Sequence, residues 1–257
     1  MRNSSIRGSA SAVFFAAATA AFAGPFVATS DASITVTLTG YSAGSYVNVG
    51  FNNQLVWNSN AAMQQNSIRA YQHQLAATDG SQSLSWCAEV YQGLDVGNSY
   101  TFDVVAAENA PSGIVAPGPM GQLKATIVRD LFARWIDAST GLVAGATADR
   151  DAKSAAFQVA VWEITHENLS ASSAQAALSQ MSLTSGAFRA TLSAATSAWY
   201  STIMQSLGVG GFQEVALEGL SSPTAQDQLR MGVVPAPAAI GVIGVAGLLG
   251  GRRRRST

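Results

Sequence analysis

Residues 123–136 read LKATIVRDLFARWI, and they decide the fold class. Leu123, Ile127, Leu131 and Trp135 recur every four residues, with Val128, Phe132 and Ile136 beside them. That is the period of a helix with one apolar face, and Pro119 lies near its start. The sequence before it has another period. SITVTLTG at 33–40 alternates β-branched with small residues, and YVNVGF at 46–51 and QLVW at 54–57 follow, all readable as strands. SLSWCAEVYQG at 83–93 reads as a further strand. Gly97-Asn98 reads as a turn, and SYTFDVVAA at 99–107 as the hairpin partner of that strand. Pro- and Gly-rich sequence between Ala110 and Pro119 is a loop.

Helical sequence continues beyond residue 136. A second helix begins near Thr147 or Asp149, with Asp149 and Asp151 in its first turn and His166 in its last, as the helix dipole favours. Phe157, Val161 and Ile164 form its apolar stripe, and His166, beside Glu163 and Glu167, is expected to be solvated. A short third helix covers about 172–181. A fourth covers about 185–205, with Phe188, Leu192, Ala195, Trp199 and Ile203 inward. FQEVALEGL at 212–220 returns to strand, and one more strand fits before Pro235. The expected fold is α+β: a β-sandwich or barrel with a helical insertion at about 119–207.

The two ends read differently from the middle. Arg2 and Arg7 precede an uncharged apolar run from Ala10 to Ala23, which ends in Ala21-Phe22-Ala23. A basic start, a short apolar stretch and small residues at a cut site make residues 1–23 a secretory signal peptide, with Gly24 the first mature residue. At the other end, Val234-Pro235-Ala236-Pro237 leads into an apolar stretch, and Arg252, Arg253, Arg254 and Arg255 follow it. From Val233 to Gly251 the stretch is 19 residues, close to the roughly 20 that cross a bilayer core. The arginines hold its end on the cytoplasmic side. This tail, residues 233–257, resembles the PEP-CTERM sorting signal of Gram-negative bacteria. The position between the two prolines, Glu in that family, is Ala236 here. The resemblance implies transient anchoring in the inner membrane, cleavage by an exosortase-type enzyme, and passage to the cell envelope or the matrix outside. A plain tail anchor is the alternative.

The formal net charge of −1 conceals a split. Six of the 14 basic residues lie in the two end segments and none of the 15 acidic ones does, so residues 24–232 carry a formal charge of −7. Phosphate binding needs clustered Lys and Arg, so nucleic acid is not an expected partner. Two isolated histidines and one cysteine lack metal-ligand spacing, and no Gly-rich phosphate loop occurs, so no cofactor is expected.

Cys87 is the only cysteine. Exported cysteines normally pair. A single one is a buried inert thiol, an intermolecular crosslinker or a reactive group. Strand alternation would put Cys87 and Glu89 on one face, and helical spacing would put Gln158 and Trp162 on one face. Together LSWCAEVYQ around Cys87 and AAFQVAVWEI around Gln158 resemble the thioester domain of bacterial surface adhesins. In that family a strand carries Cys with an acidic residue two positions on, here Glu89. A helix carries Gln with Trp four positions on, here Trp162. Ala160 also fits the helix motif, while Phe157 stands where Thr is usual.

The resemblance implies that residues 24–232 hold an internal Cys87–Gln158 thioester that captures an amine on a target surface. It implies an adhesive role rather than an enzyme's. Trp162 would exclude water from the bond, and Glu89 would accept the thiol proton or orient the amide. Two rivals stand beside it. One is a Cys-His hydrolase using Cys87, His166 or His73, and Asn168. The other is a passive envelope or matrix component without covalent chemistry.

Overall fold

The computed structural model describes residues 33–51, 64–113, 117–145 and 147–232. Residues 1–23, 233–257 and QLVW at 54–57 lie outside them, and so do the expectations placed on those segments. The fold is mixed α+β, one large antiparallel sheet with a few helices. Among the described residues seven strands, β1 (Ser33–Phe51), β2 (Gln64–Ala77), β3 (Gln82–Cys87), β4 (Ser99–Ala106), β5 (Phe188–Thr191), β6 (Leu217–Ser221) and β7 (Gln228–Met231), run in the order β2-β3-β7-β6-β4-β1-β5. β1 also pairs with β2, from Val36 opposite Ala77 to Phe51 opposite Gln64. Among the described residues no helix is long and apolar enough to cross a membrane.

Between β4 and β6 lie the helices α1 (Gly121–Trp135), α2 (Arg150–His166), α3 (Ala174–Leu178) and α4 (Ala194–Ser206). α1 follows its period: Ile127, Val128, Leu131 and Phe132 are all buried. α2 exceeds its expected stripe. Every residue from Lys153 to His166 is buried, the behaviour of a helix enclosed on all sides rather than one lying on a surface. It packs on β1, β2, β3, α1 and α4, with one side in the cluster of Phe157, Val161 and Ile164 and the other in the cluster of Ala155, Val159 and Trp162.

Its start is fixed on the sheet by Asp151, whose Oδ1 accepts a hydrogen bond from Gly44 N at 3.2 Å. Gly44 sits at a register shift of β1, where a Cβ would lie 2.2 Å from the Ala70 carbonyl oxygen. Only glycine fits there, because two backbones meet at less than a side chain's width.

Four local expectations are corrected. β3 and β4 are not a hairpin pair: β3 lies between β2 and β7, and β4 between β1 and β6. A turn is indeed present at Gly97, but local sequence does not choose the partner of a strand that has several candidates. The strand β2 was not anticipated; its polar sequence, NSIRAYQHQLAA, masks the alternation of Ile68, Ala70 and Gln72. The fourth helix starts at Ala194 instead of about 185, and Phe188 is buried from β5, opposite Phe51, not from a helix. Ser193 takes the cap, its Oγ accepting from Thr196 N at 3.2 Å, which sets the helix start there. Ala195, expected inward, is exposed, and Thr196 is buried instead.

Candidate functional site

Strand pairing builds one wall of the site. Cys87 stands opposite Gln228 on β7, and His73 on β2 stands opposite Ser85, two residues before Cys87 on β3. Directly paired residues share a face, as do residues two apart on a strand. His73, Ser85, Cys87 and Gln228 therefore project together from three neighbouring strands. Trp86 points the other way, into a different cluster, with its ring 4.5 Å from that of Phe157.

α2 supplies the other wall. The Gln158 side chain is fully buried and lies along the Cys87 main chain, 71 residues away. Its Oε1 accepts from Cys87 N at 2.9 Å and its Nε2 donates to Cys87 O at 2.8 Å. The first bond draws electron density toward the amide oxygen and so polarises the amide carbon. Trp162 is buried in the same cluster as Cys87, and its Nε1 has no hydrogen-bond partner among the described residues. The structure thus brings Cys87, Gln158 and Trp162 together.

Glu89 is a partial correction. β3 ends at Cys87, so strand alternation does not carry Glu89 onto the Cys87 face. Glu89 is buried. Its Oε2 accepts from Tyr91 N and from Gln92 N at 3.1 Å, and its Oε1 accepts from Asp227 N at 3.2 Å. These bonds shape the chain after β3 and join it to the β6–β7 connection. Burial raises the Glu89 pKa to about 8, and the nearby Asp227 carboxylate acts in the same direction.

The Cys87 sulfur has different neighbours. Its Sγ donates to Gln226 Oε1 at 3.2 Å and lies 3.6 Å from His73 Nε2. Burial pushes the thiol pKa far up and holds His73 down to about 4, so its ring is neutral near pH 7. Gln226 and Gln228 were not singled out from the sequence, because no local pattern marks a glutamine that faces a distant cysteine. His73 was named only as a base in the hydrolase reading. His166, the other histidine in that reading, is buried rather than solvated, with its ring against Tyr91 and Phe188. Asn168 is exposed.

α2 ends in a buried acidic group. Glu163 Oε1 accepts from Ser182 N at 2.6 Å, while its Oε2 has no partner among the described residues. Burial, reinforced by Glu167, raises the Glu163 pKa to about 8. The folded state thus keeps a proton that the unfolded state loses near the ordinary Glu range. That stabilisation is complete below the unfolded pKa and is lost as pH rises through about 8. Glu89 acts in the same sense. Urea unfolding should show stability falling between pH 6.5 and 8 by about 2 kcal/mol or less for each group. Glu163→Gln should flatten that slope, and an unchanged slope would remove Glu163 as a source.

A cleft of about 490 Å³ opens elsewhere, beside Trp86, with Leu84, Phe132, Gly141 and Met231 in its lining and Cys87 outside it. Among the described residues no group of His, Cys, Asp and Glu is arranged to hold a metal ion. No protein-family model, curated protein or solved structure matches this chain.

Proposed function

We propose that this protein is exported and that its folded domain carries a Cys87–Gln158 thioester which captures an amine on a target surface. The observation that carries this reading is the pair of buried hydrogen bonds between the Gln158 amide and the Cys87 main chain. A thiol is a strong nucleophile only when its proton is removed, and a carboxamide is a poor electrophile. The pair reacts only if it is held in contact, polarised and kept from water. The bonds to Cys87 N and O hold the Gln158 amide against the residue that bears the thiol and polarise its carbon, and Trp162 with the surrounding apolar cluster serves the third. Sulfur adds to the Gln158 amide carbon, the carbon–nitrogen bond breaks, and ammonia leaves. A target amine later adds to the same carbon and displaces the sulfur, leaving an amide. The event happens once per molecule, unlike an enzyme's turnover.

In this reading the sheet is a sandwich or barrel, supported by the β1–β2 pairing that returns the ladder to its first strand. Residues 1–23 act as a signal peptide, and residues 233–257 anchor the chain in the inner membrane until an exosortase-type enzyme cuts near Pro235–Pro237. The sequence of those segments supports this.

Intact mass of protein recovered from its host tests both parts. The mass should correspond to a chain starting near Gly24, lacking Arg252–Arg255, and lighter by one ammonia. Cys87 should resist alkylation even after fresh unfolding, and methylamine should restore alkylation while leaving its adduct on Gln158. Full sequence mass with a freely alkylated Cys87 in unfolded protein overturns the thioester and leaves a passive envelope component. Intact arginines on exported protein overturn the processing and leave a tail anchor.

The His73 ring beside the Cys87 sulfur favours one second reading, a Cys-His hydrolase. Repeated cleavage of peptide or ester substrates, dependent on Cys87 and His73, would establish it.

A further inference from the structure

We infer that His73, acting through its unprotonated Nε2, accepts the Cys87 thiol proton when the thioester forms; this rests on the thioester reading above. The tautomer follows from a chain of hydrogen bonds. Gln228 Nε2 lies 3.1 Å from the Gln226 main-chain oxygen, which can only accept, so this end of the Gln228 amide is its donor. The other end, Oε1, can only accept. It receives Ser85 Oγ–H at 3.0 Å and faces His73 Nδ1 at 3.0 Å. His73 Nδ1 must therefore carry the ring hydrogen. In a neutral ring that leaves the lone pair on Nε2; Cys87 Sγ lies beside the ring, 3.6 Å from Nε2 and 3.8 Å from Nδ1, and of the two only Nε2 can take its proton. The ring is neutral because it is buried, and its face is held by Tyr41, 5.2 Å away between ring centres.

The thiol has one hydrogen and two acceptors in reach, Gln226 Oε1 and His73 Nε2. Gln226 is an amide and cannot take up a proton at ordinary pH, whereas an imidazole can. Glu89 is committed to three main-chain N–H groups. The step balances without any other reactant. The S–H bond breaks and its proton passes to His73 Nε2. The C–S bond forms at Gln158, and the proton moves on to the departing nitrogen as the C–N bond breaks. On amine capture the displaced sulfur takes a proton from the same ring nitrogen, which has received it from the amine.

The test is the rate of ammonia loss. Full-length chain held in urea is folded by dilution and quenched at intervals, and intact mass is read. His73→Gln should slow ammonia loss about 100-fold while keeping a cooperative melting transition. Ammonia loss at the wild-type rate in His73→Gln overturns the role of His73 and leaves the thioester standing. No ammonia loss from wild-type protein overturns the thioester itself, and this inference with it. Should His73→Gln fail to fold, the ring tautomer decides. In Cys87→Ala, nitrogen NMR should find the His73 hydrogen on Nδ1, and a hydrogen on Nε2 would overturn the inference.

Discussion

Cys87→Ala should lower the melting temperature by about 8–16 °C, and Gln158→Ala by more. The proposed thioester would close a loop between residues 71 apart, and by the chain-entropy relation for crosslinks such a closure contributes about 4 kcal/mol. For a domain of this size each kcal/mol moves the midpoint by about 2–4 °C. Both variants lose the crosslink, and they differ in what stays behind. Cys87→Ala keeps the main-chain N–H and C=O that Gln158 satisfies. Gln158→Ala strands both, and each buried unsatisfied group adds roughly 1–3 kcal/mol. The expected order is therefore wild type, then Cys87→Ala, then Gln158→Ala, with ammonia loss absent from both variants. Without a crosslink, Cys87→Ala costs only the small void left by a sulfur atom, about 1 kcal/mol by analogy with other large-to-small core changes. A shift of only a few degrees in Cys87→Ala, next to a large one in Gln158→Ala, would mean that Gln158 clamps the strand by hydrogen bonds alone. Calorimetry of the three proteins distinguishes these outcomes.

Asp130→Ala should destabilise the domain by about 3–5 kcal/mol, the range for removing one partner of a buried ion pair. Asp130 is fully buried on α1. It accepts from Arg134 Nε at 2.7 Å, from Gly208 N at 2.8 Å and from Gln213 N at 2.7 Å. Arg134 in turn donates to the carbonyls of Val209 and Gly211. One carboxylate thereby ties the last turns of α1 to the chain leaving α4. Alanine leaves two main-chain N–H groups and a guanidinium without their acceptor. Asp130→Asn keeps an oxygen for some of these donors but loses the charge, and should cost less than half as much. Urea unfolding measures both. Equal effects for Ala and Asn would show that the charge, not the hydrogen-bond count, holds the corner.

The candidate site was partly legible because its two halves are each local. LSWCAEVYQ and AAFQVAVWEI carry the Cys, Gln and Trp at short fixed spacings, and strand and helix periods place those side chains on faces. His73, Gln226 and Gln228 were not legible as parts of it. They come from β2, from the β6–β7 connection and from β7, and only the ladders of β3 with β2 and β7 bring them to the sulfur. Glu89 shows the opposite failure. Its spacing fits the alternation, but the strand stops at Cys87, and the carboxylate turns to main-chain N–H groups instead.

The sequence by itself determined the change of period at residue 123, hence the α+β class, and the placement of Cys87 on a strand and Gln158 on a helix. These follow from side-chain periodicity, which acts over a few residues and needs no distant partner. It also carries the arginine-led apolar run at one end and the apolar run closed by four arginines at the other, on which the proposed export rests, because charge and length of an apolar run are properties of composition. Only the tertiary structure decided which strands pair, that α2 is enclosed on all sides, and that His166 and Glu163 are buried at its end. Strand partners and burial depend on contacts between residues far apart in the chain, which no local period encodes. The same dependence sets the chemistry. Burial of Cys87 keeps its proton on, and the strand ladders bring a histidine from 14 residues away to 3.6 Å from its sulfur.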